Sequence, residues 1–177
     1  YLLSPGKLTI VEAYPPEGLS IVSVIYLADL IDKKGEAEGL IMSSMQGIFV
    51  NPDRLVVISQ AYEGDEAQAD DGFYYIQIYP RVILRSYYTL LSVFDIEEVG
   101  SPRLLFTVGM SGHYSTSRMI GDNVYLVSQS TIWRSGDDIL LPEVYDRHGL
   151  RELDVGKIHY DPQTMESHSF VNLMAVD

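Results

Sequence analysis

Residues 53–60 read DRLVVISQ and residues 122–129 read DNVYLVSQ, so the chain states one eight-residue phrase twice, 69 positions apart. The neighbourhood repeats as well. LTIVE (8–12), LSVFD (91–95) and LMAVD (173–177) are short apolar runs ending on an acid, and the acids lie 83 and 82 residues apart. YPPEG and then LSIVSVIYL follow the first; EEVGSP and then RLLFTVGM follow the second. Each reads as strand, turn, strand. A brief strand (GIFV or STSRMI) and a tight turn (NPD or GDN) then lead into the repeated phrase. The unit is four strands, and serial repetition of such a unit is how propeller blades are written in sequence.

With the strands of a unit labelled a to d, the chain runs b, c, d, then a, b, c, d, then a, b, c. The expected fold is all-β: a partial β-propeller of about two to three four-stranded antiparallel blades in one segment. The blades are a partial one over 1–28, a full one over 47–110 and a partial one over 117–177. Propellers close rings of about 4 to 8 blades. The expectation is therefore a portion of a longer protein, or copies that complete one another through unpaired strand edges.

At 177 residues the chain can bury a substantial core, and 46% hydrophobic content with 13 tyrosines is too rich for disorder. No apolar run approaches the roughly 18 residues of a membrane span. The absence of cysteine removes disulfides, thiolate metal sites and cysteine nucleophiles together. No charged start followed by an apolar stretch precedes residue 20, so no signal peptide is read here.

YLLSPGKLTIVEAYPPEGLSIVS, VNPDRLVVIS, LLSVFDIEEVGSPRLLFTV, SRMIGDNVYLVSQ, LPEVYD and SFVNLMAVD together resemble the secreted beta-propeller domain family of archaea and bacteria, nearly end to end. The resemblance implies a propeller fold and a secreted or cell-surface location. It brings no catalytic set with it.

Antiparallel succession puts a-to-b and c-to-d turns at one end of a blade and the other connections at the opposite end. The short turns, at 14–18, 51–53, 97–102 and 121–123, are all expected at the first end. The long segments, 29–46, 61–88 and 130–169, are all expected at the second. Those three segments carry 17 acidic and 8 basic residues, −9 of the formal −13. An elaborated, acidic face disfavours nucleic acid and anionic membranes, because both need a basic footprint. It leaves a protein, a glycan or a cation as partner, beside the plainer reading of a solvated acidic surface.

Four groups on that face are candidates for chemistry. EGDEAQADDG (63–72) has the oxygen density of a Ca²⁺ loop, with Asp65, Glu66, Asp70 and Asp71 as ligands, but not the spacing of an EF-hand. A plain acidic loop is the competing reading, and no cofactor is otherwise expected. His113, His148, His159 and His168 all fall in connections, none in a short metal-ligand pairing. GMSGHYSTSR (109–118) crowds Ser111, His113, Ser115 and Arg118 near the start of an a strand, without the elbow that a nucleophilic serine uses. Arg118 is read as lining a channel or as an ion-pair partner. Tyr74, Tyr75, Tyr79, Tyr87 and Tyr88 stand beside acids, as sugar recognition requires, or extend strands b and c as a packed hairpin. LPEVYD (141–146) is expected to form a short helical turn with Pro142 at its first position.

Two functions are compatible with these residues. One is a non-catalytic binding or scaffolding module whose ligand or partner meets His113, Arg118, Tyr74, Tyr75 and Tyr79. The alternative is a hydrolase-type enzyme with its site on the elaborated face near the channel.

Overall fold

In the computed structural model, the residues described are 1–31, 40–63, 86–132, 134–135, 138–159 and 169–177. They form strands β1 (Leu2–Ser4), β2 (Lys7–Glu12), β3 (Ser20–Tyr26), β4 (Leu40–Val50), β5 (Arg54–Glu63), β6 (Tyr87–Asp95) and β7 (Arg103–Ser111). These are followed by β8 (His113–Ile120), β9 (Asn123–Thr131), β10 (Arg134–Ser135), β11 (Asp138–Ile139), β12 (Glu143–Asp146), β13 (Gly149–Glu152) and β14 (Ser169–Val176). Among the described residues there is no α-helix, only three single turns of 3₁₀ helix, and no helix long and apolar enough to cross a membrane.

Three antiparallel sheets carry the architecture, ordered β1-β2-β3, β13-β12-β7-β6-β5-β4 and β14-β9-β8; β10 and β11 pair in a separate small ribbon. They stack face to face. Leu8, Ile10 and Ile25 of the first sheet pack on Leu55, Val57 and Phe94 of the middle sheet. Val56, Ile58, Leu91 and Val93, on the other side of the middle sheet, pack on Val124 and Leu126 of the third. The middle sheet is thus covered on both faces, which is why β5 and β6 need continuous apolar runs. In β9, Val124, Leu126 and Ser128 are buried and the residues between them are not, so its repeated phrase alternates.

The repeat extends to irregularities of the strands. Gln46 in β4 and Ser115 in β8 are each the extra residue of a bulge against the following strand, 69 positions apart. Val22 in β3 and Leu105 in β7 are the extra residues against the preceding strand, 83 apart. A bulge bends its strand and increases the local twist, so copies of one bulge impose one shape on successive sheets.

The β2–β3, β4–β5, β6–β7 and β8–β9 turns share one end of the stack. There Asn51 Nδ2 donates to Asp122 Oδ1 at 3.3 Å, and Ser23 Oγ donates to the Val99 carbonyl at 2.9 Å. The strands that bound the long connections finish at the other end, as expected, but two short links are found there too. β1 and β2 are joined by Pro5 and Gly6, and β7 passes into β8 through Gly112 alone. The elaborated segments are also less loop-like than their length implied, since β4 already begins at Leu40.

LPEVYD is a strand, not a helical turn. Val144 and Tyr145 of β12 pair with Met110 and Gly109 on the outer edge of β7, and β12 turns back on itself as β13. An unpaired sheet edge offers a full row of backbone partners, which a single helical turn cannot match.

Candidate functional site

At the elaborated end, the two seams between sheets differ. Ile31 and Tyr145, with Leu40, Met42 and Leu150, fill the seam between the first and middle sheets, packing on Ala61, Tyr88 and Leu90. The seam between the middle and third sheets opens instead into a cleft of about 310 Å³. Glu63, Glu143 and Glu152 line it, together with Tyr87, His113 and Phe170 and a wall of Leu140, Leu141 and Pro142.

Its floor is a hydrogen-bonded cross-link between elements distant in sequence. The Ser111 hydroxyl accepts the Glu143 amide at 3.0 Å, and the buried Tyr88 hydroxyl donates to Glu143 Oε2. The Ser111 carbonyl accepts from Ser128 Oγ at 2.7 Å and from Asn172 Nδ2 at 2.9 Å, and Asn172 also reaches Ser130 Oγ at 3.2 Å. Burial first, and then the Glu143 carboxylate, push the Tyr88 phenol well above its ordinary range. It therefore stays a donor and holds the Glu143 carboxylate at this end of the seam.

Gly112 makes the seam tight. Its φ is +106°, and a Cβ there would lie 2.6 Å from the Gln129 carbonyl carbon. Its amide donates to the Tyr87 carbonyl at 2.6 Å, and its carbonyl accepts from Thr89 Oγ1 at 2.9 Å. The chain thereby delivers the exposed His113 onto Tyr87, with ring centroids 4.1 Å apart. Tyr62 flanks Tyr87 on another side at 6.3 Å.

The sequence candidates separate. His113 lies in the cleft. Arg118, five residues along β8 and roughly 17 Å away at strand rise, lies exposed in another hollow with Thr116, Tyr125 and Val127. Among the described residues no carboxylate lies within ion-pair distance of Arg118. Tyr74, Tyr75, Tyr79, Asp65, Glu66, Asp70, Asp71 and His168 lie outside the described residues. His148 is tied to its own turn, its amide donating to Asp146 Oδ1 at 2.8 Å and its Nε2 accepting from Arg147 Nε at 3.1 Å. His159 is exposed. Among the described residues no serine and histidine are hydrogen-bonded, the Ser111 hydroxyl being engaged by Glu143. Nor, among them, do three histidine or carboxylate groups converge on a point that would hold a metal.

Glu63, Glu143, Glu152 and Phe170 are the lining residues that sequence reasoning did not single out. A signal existed for Glu63, since it and Tyr87, already a candidate, close the two ends of one b-to-c connection. Glu143 and Glu152 reach the cleft only because β12–β13 attaches to a sheet other than the one it leaves.

Repeated antiparallel sheets stacked face to face, with short turns at one end, long connections leaving from the other and no ring closed among the described residues, make this a β-propeller protein in partial form. The model of one family, described as a beta propeller domain, matches residues 1–177, and the chain belongs to that family. No curated protein and no solved structure matches it.

Proposed function

We propose that the chain is a non-catalytic binding or scaffolding module that works outside the cytoplasm and holds a ligand or partner at the elaborated end. The observation that carries this reading is the contrast between seams. A cleft of about 310 Å³, at the small end of ligand sites, stands open where the neighbouring seam is packed with apolar side chains. Its polar groups suit holding rather than reacting. The Ser111 hydroxyl is engaged by the Glu143 amide, the His113 ring lies against Tyr87, and Glu63 and Glu152, beside a Glu143 that already accepts from Tyr88, are left to accept hydrogen bonds or charge. The extracytoplasmic placement rests on the family resemblance.

The test is a ligand screen on the intact chain, following the ring signals of His113 and Tyr87 by NMR beside a Leu140→Arg variant that obstructs the mouth from an exposed position. The expected result is a ligand that moves both rings, is recovered unchanged, and is lost from the variant. A ligand that binds the variant equally, or is chemically converted by the wild type, overturns the reading. Protease accessibility of the protein on intact cells that produce it tests the location.

A further inference from the structure

We infer that the cleft receives a basic side chain, an arginine or lysine, presented by a partner polypeptide; this rests on the cleft being the binding site. Charge comes first. Among the described residues the lining holds three glutamates and no lysine or arginine, and none of the three has an ion-pair partner. Among the same residues only Glu143 has a hydrogen-bond donor to its carboxylate, the Tyr88 phenol, and that donor brings no positive charge.

Geometry then decides which cation. Because no three acidic or histidine groups among the described residues converge, the negative charge is spread around the mouth instead of gathered at one point. A bare divalent ion needs six or more oxygens at about 2.3–2.6 Å. An ammonium or guanidinium on an extended stem can meet separated carboxylates one at a time. The wall suits such a stem. Leu140, Leu141, Pro142 and Phe170 offer apolar surface beside the carboxylates, and long basic side chains bury their methylenes against such surface while the charged head stays polar.

A saccharide would need an aromatic face free for stacking. The Tyr87 ring already has His113 at 4.1 Å and Tyr62 at 6.3 Å between centroids, which leaves it better placed as a side wall than as a platform. Phe170 is the lining ring a saccharide could use, and the carboxylates beside it favour a cation over a neutral sugar. A polypeptide is favoured over a free amine by the charge of the whole chain, a formal −13. Such a charge attracts a chain of several positive charges and raises its encounter rate.

The experiment titrates the intact chain with an oligoarginine peptide and, separately, with neutral oligosaccharides, reading the His113 and Tyr87 ring signals. The comparison variant is Glu63→Gln/Glu152→Gln. Both side chains are exposed and make no hydrogen bond among the described residues, and its melting curve confirms folding. The expected result is that the peptide moves both rings, that the variant binds it about tenfold more weakly, and that raising salt weakens it further. Peptide binding that leaves both rings unmoved, or that the variant does not weaken, is diffuse attraction and overturns the inference. Rings moved by an oligosaccharide but not by the peptide overturn the basic partner and leave the cleft as the binding site. Rings moved by neither overturn both.

Discussion

The Tyr88 hydroxyl donates to Glu143 Oε2 across 55 residues of sequence, and this bond adds to the β7 pairing and the Ser111 contact that hold the β12–β13 hairpin beside the seam where the cleft opens. Replacing Tyr88 by Phe removes the donor and leaves the half-buried carboxylate to find water. The expected loss is about 1–2 kcal/mol, measured by denaturant unfolding, with mobility of β12 appearing in hydrogen exchange. The pH dependence follows from the raised phenol. A proton held more tightly in the folded state contributes stability that is complete below the ordinary tyrosine value near 10 and is lost as pH rises toward the folded value. Between about pH 9 and pH 11 the wild type should therefore lose more stability than Tyr88→Phe; parallel losses would show that the folded state does not shift the phenol.

Gly112 and Gly121 both have positive φ, +106° and +62°, but only the first is crowded. A Cβ at 112 meets the Gln129 carbonyl carbon and oxygen and the Ser130 nitrogen inside 3.0 Å, whereas at 121 nothing lies within 4 Å. Gly121→Ala should cost about 1 kcal/mol, the local strain of a left-handed residue. Gly112→Ala must also push two backbones apart, and should cost about 3 kcal/mol or more and close the cleft. Thermal unfolding of the pair checks the ranking, and equal losses would refute the tight seam.

What the sequence made legible follows the repeat. Hydrogen-bonded strands with a buried face leave an alternating or continuous apolar record, so three sheets and the end from which the long connections leave could be read from DRLVVISQ and its copy. The single-residue passage at Gly112 left no such record, because GMSGHY looks like a loop until Ser111 is paired with Tyr88 and His113 with Gln129. LPEVYD misled for a similar reason. Its helix-start features, Pro142 followed by Glu143, are local, whereas the β7 edge that claims Val144 and Tyr145 lies over 30 residues upstream. Of the candidate site, His113 was visible as a histidine in a connection. Glu143 and Glu152 were not, because only the attachment of β12–β13 to the β7 edge brings them there.

Repetition also accounts for two buried atoms without partners, Ser59 Oγ and Gln60 Nε2. Their copies 69 residues on are satisfied. Ser128 Oγ donates to the Ser111 carbonyl and Gln129 Nε2 to Ser169 Oγ at 2.9 Å. The carbonyl that serves Ser128 lies next to the one-residue link into β8, whereas a long connection leads into β4. Ser59→Ala should thus be neutral or stabilising by up to about 1 kcal/mol, while Ser128→Ala should cost about 1–2 kcal/mol. If unfolding experiments give both substitutions the same loss, the copies are not physically distinct.

Open edges give an expectation for the 177-residue chain in isolation. β14 pairs with β9 on one side only, and Val171 and Leu173 on its surface are each 71% exposed. A strand with unpaired backbone groups and apolar side chains is a template for another chain. Sedimentation should show mass rising with concentration, and Val171→Lys/Leu173→Lys should return the chain to a monomer. A wild type that sediments as a monomer at every concentration counts against association through this strand.

Asp95 closes the strand that LSVFD writes, and its carboxylate organises the turn that follows. The Glu97 amide donates to its Oδ1 at 3.1 Å and Arg103 donates to its Oδ2 at 2.7 Å. These two, the backbone donor first, hold the carboxyl below the usual aspartate range. A depressed carboxyl contributes stability that is present above the unfolded value near 4 and is lost as pH falls through the folded one. Arg103→Ala should raise the Asp95 titration midpoint in an NMR pH series without bringing it fully to the ordinary value, because the Glu97 amide remains. Salt should reproduce part of the shift in the wild type, since both partners are at the surface. A midpoint that reaches the ordinary value in Arg103→Ala would reverse the order of the two causes, making the guanidinium and not the backbone amide the group that sets this turn.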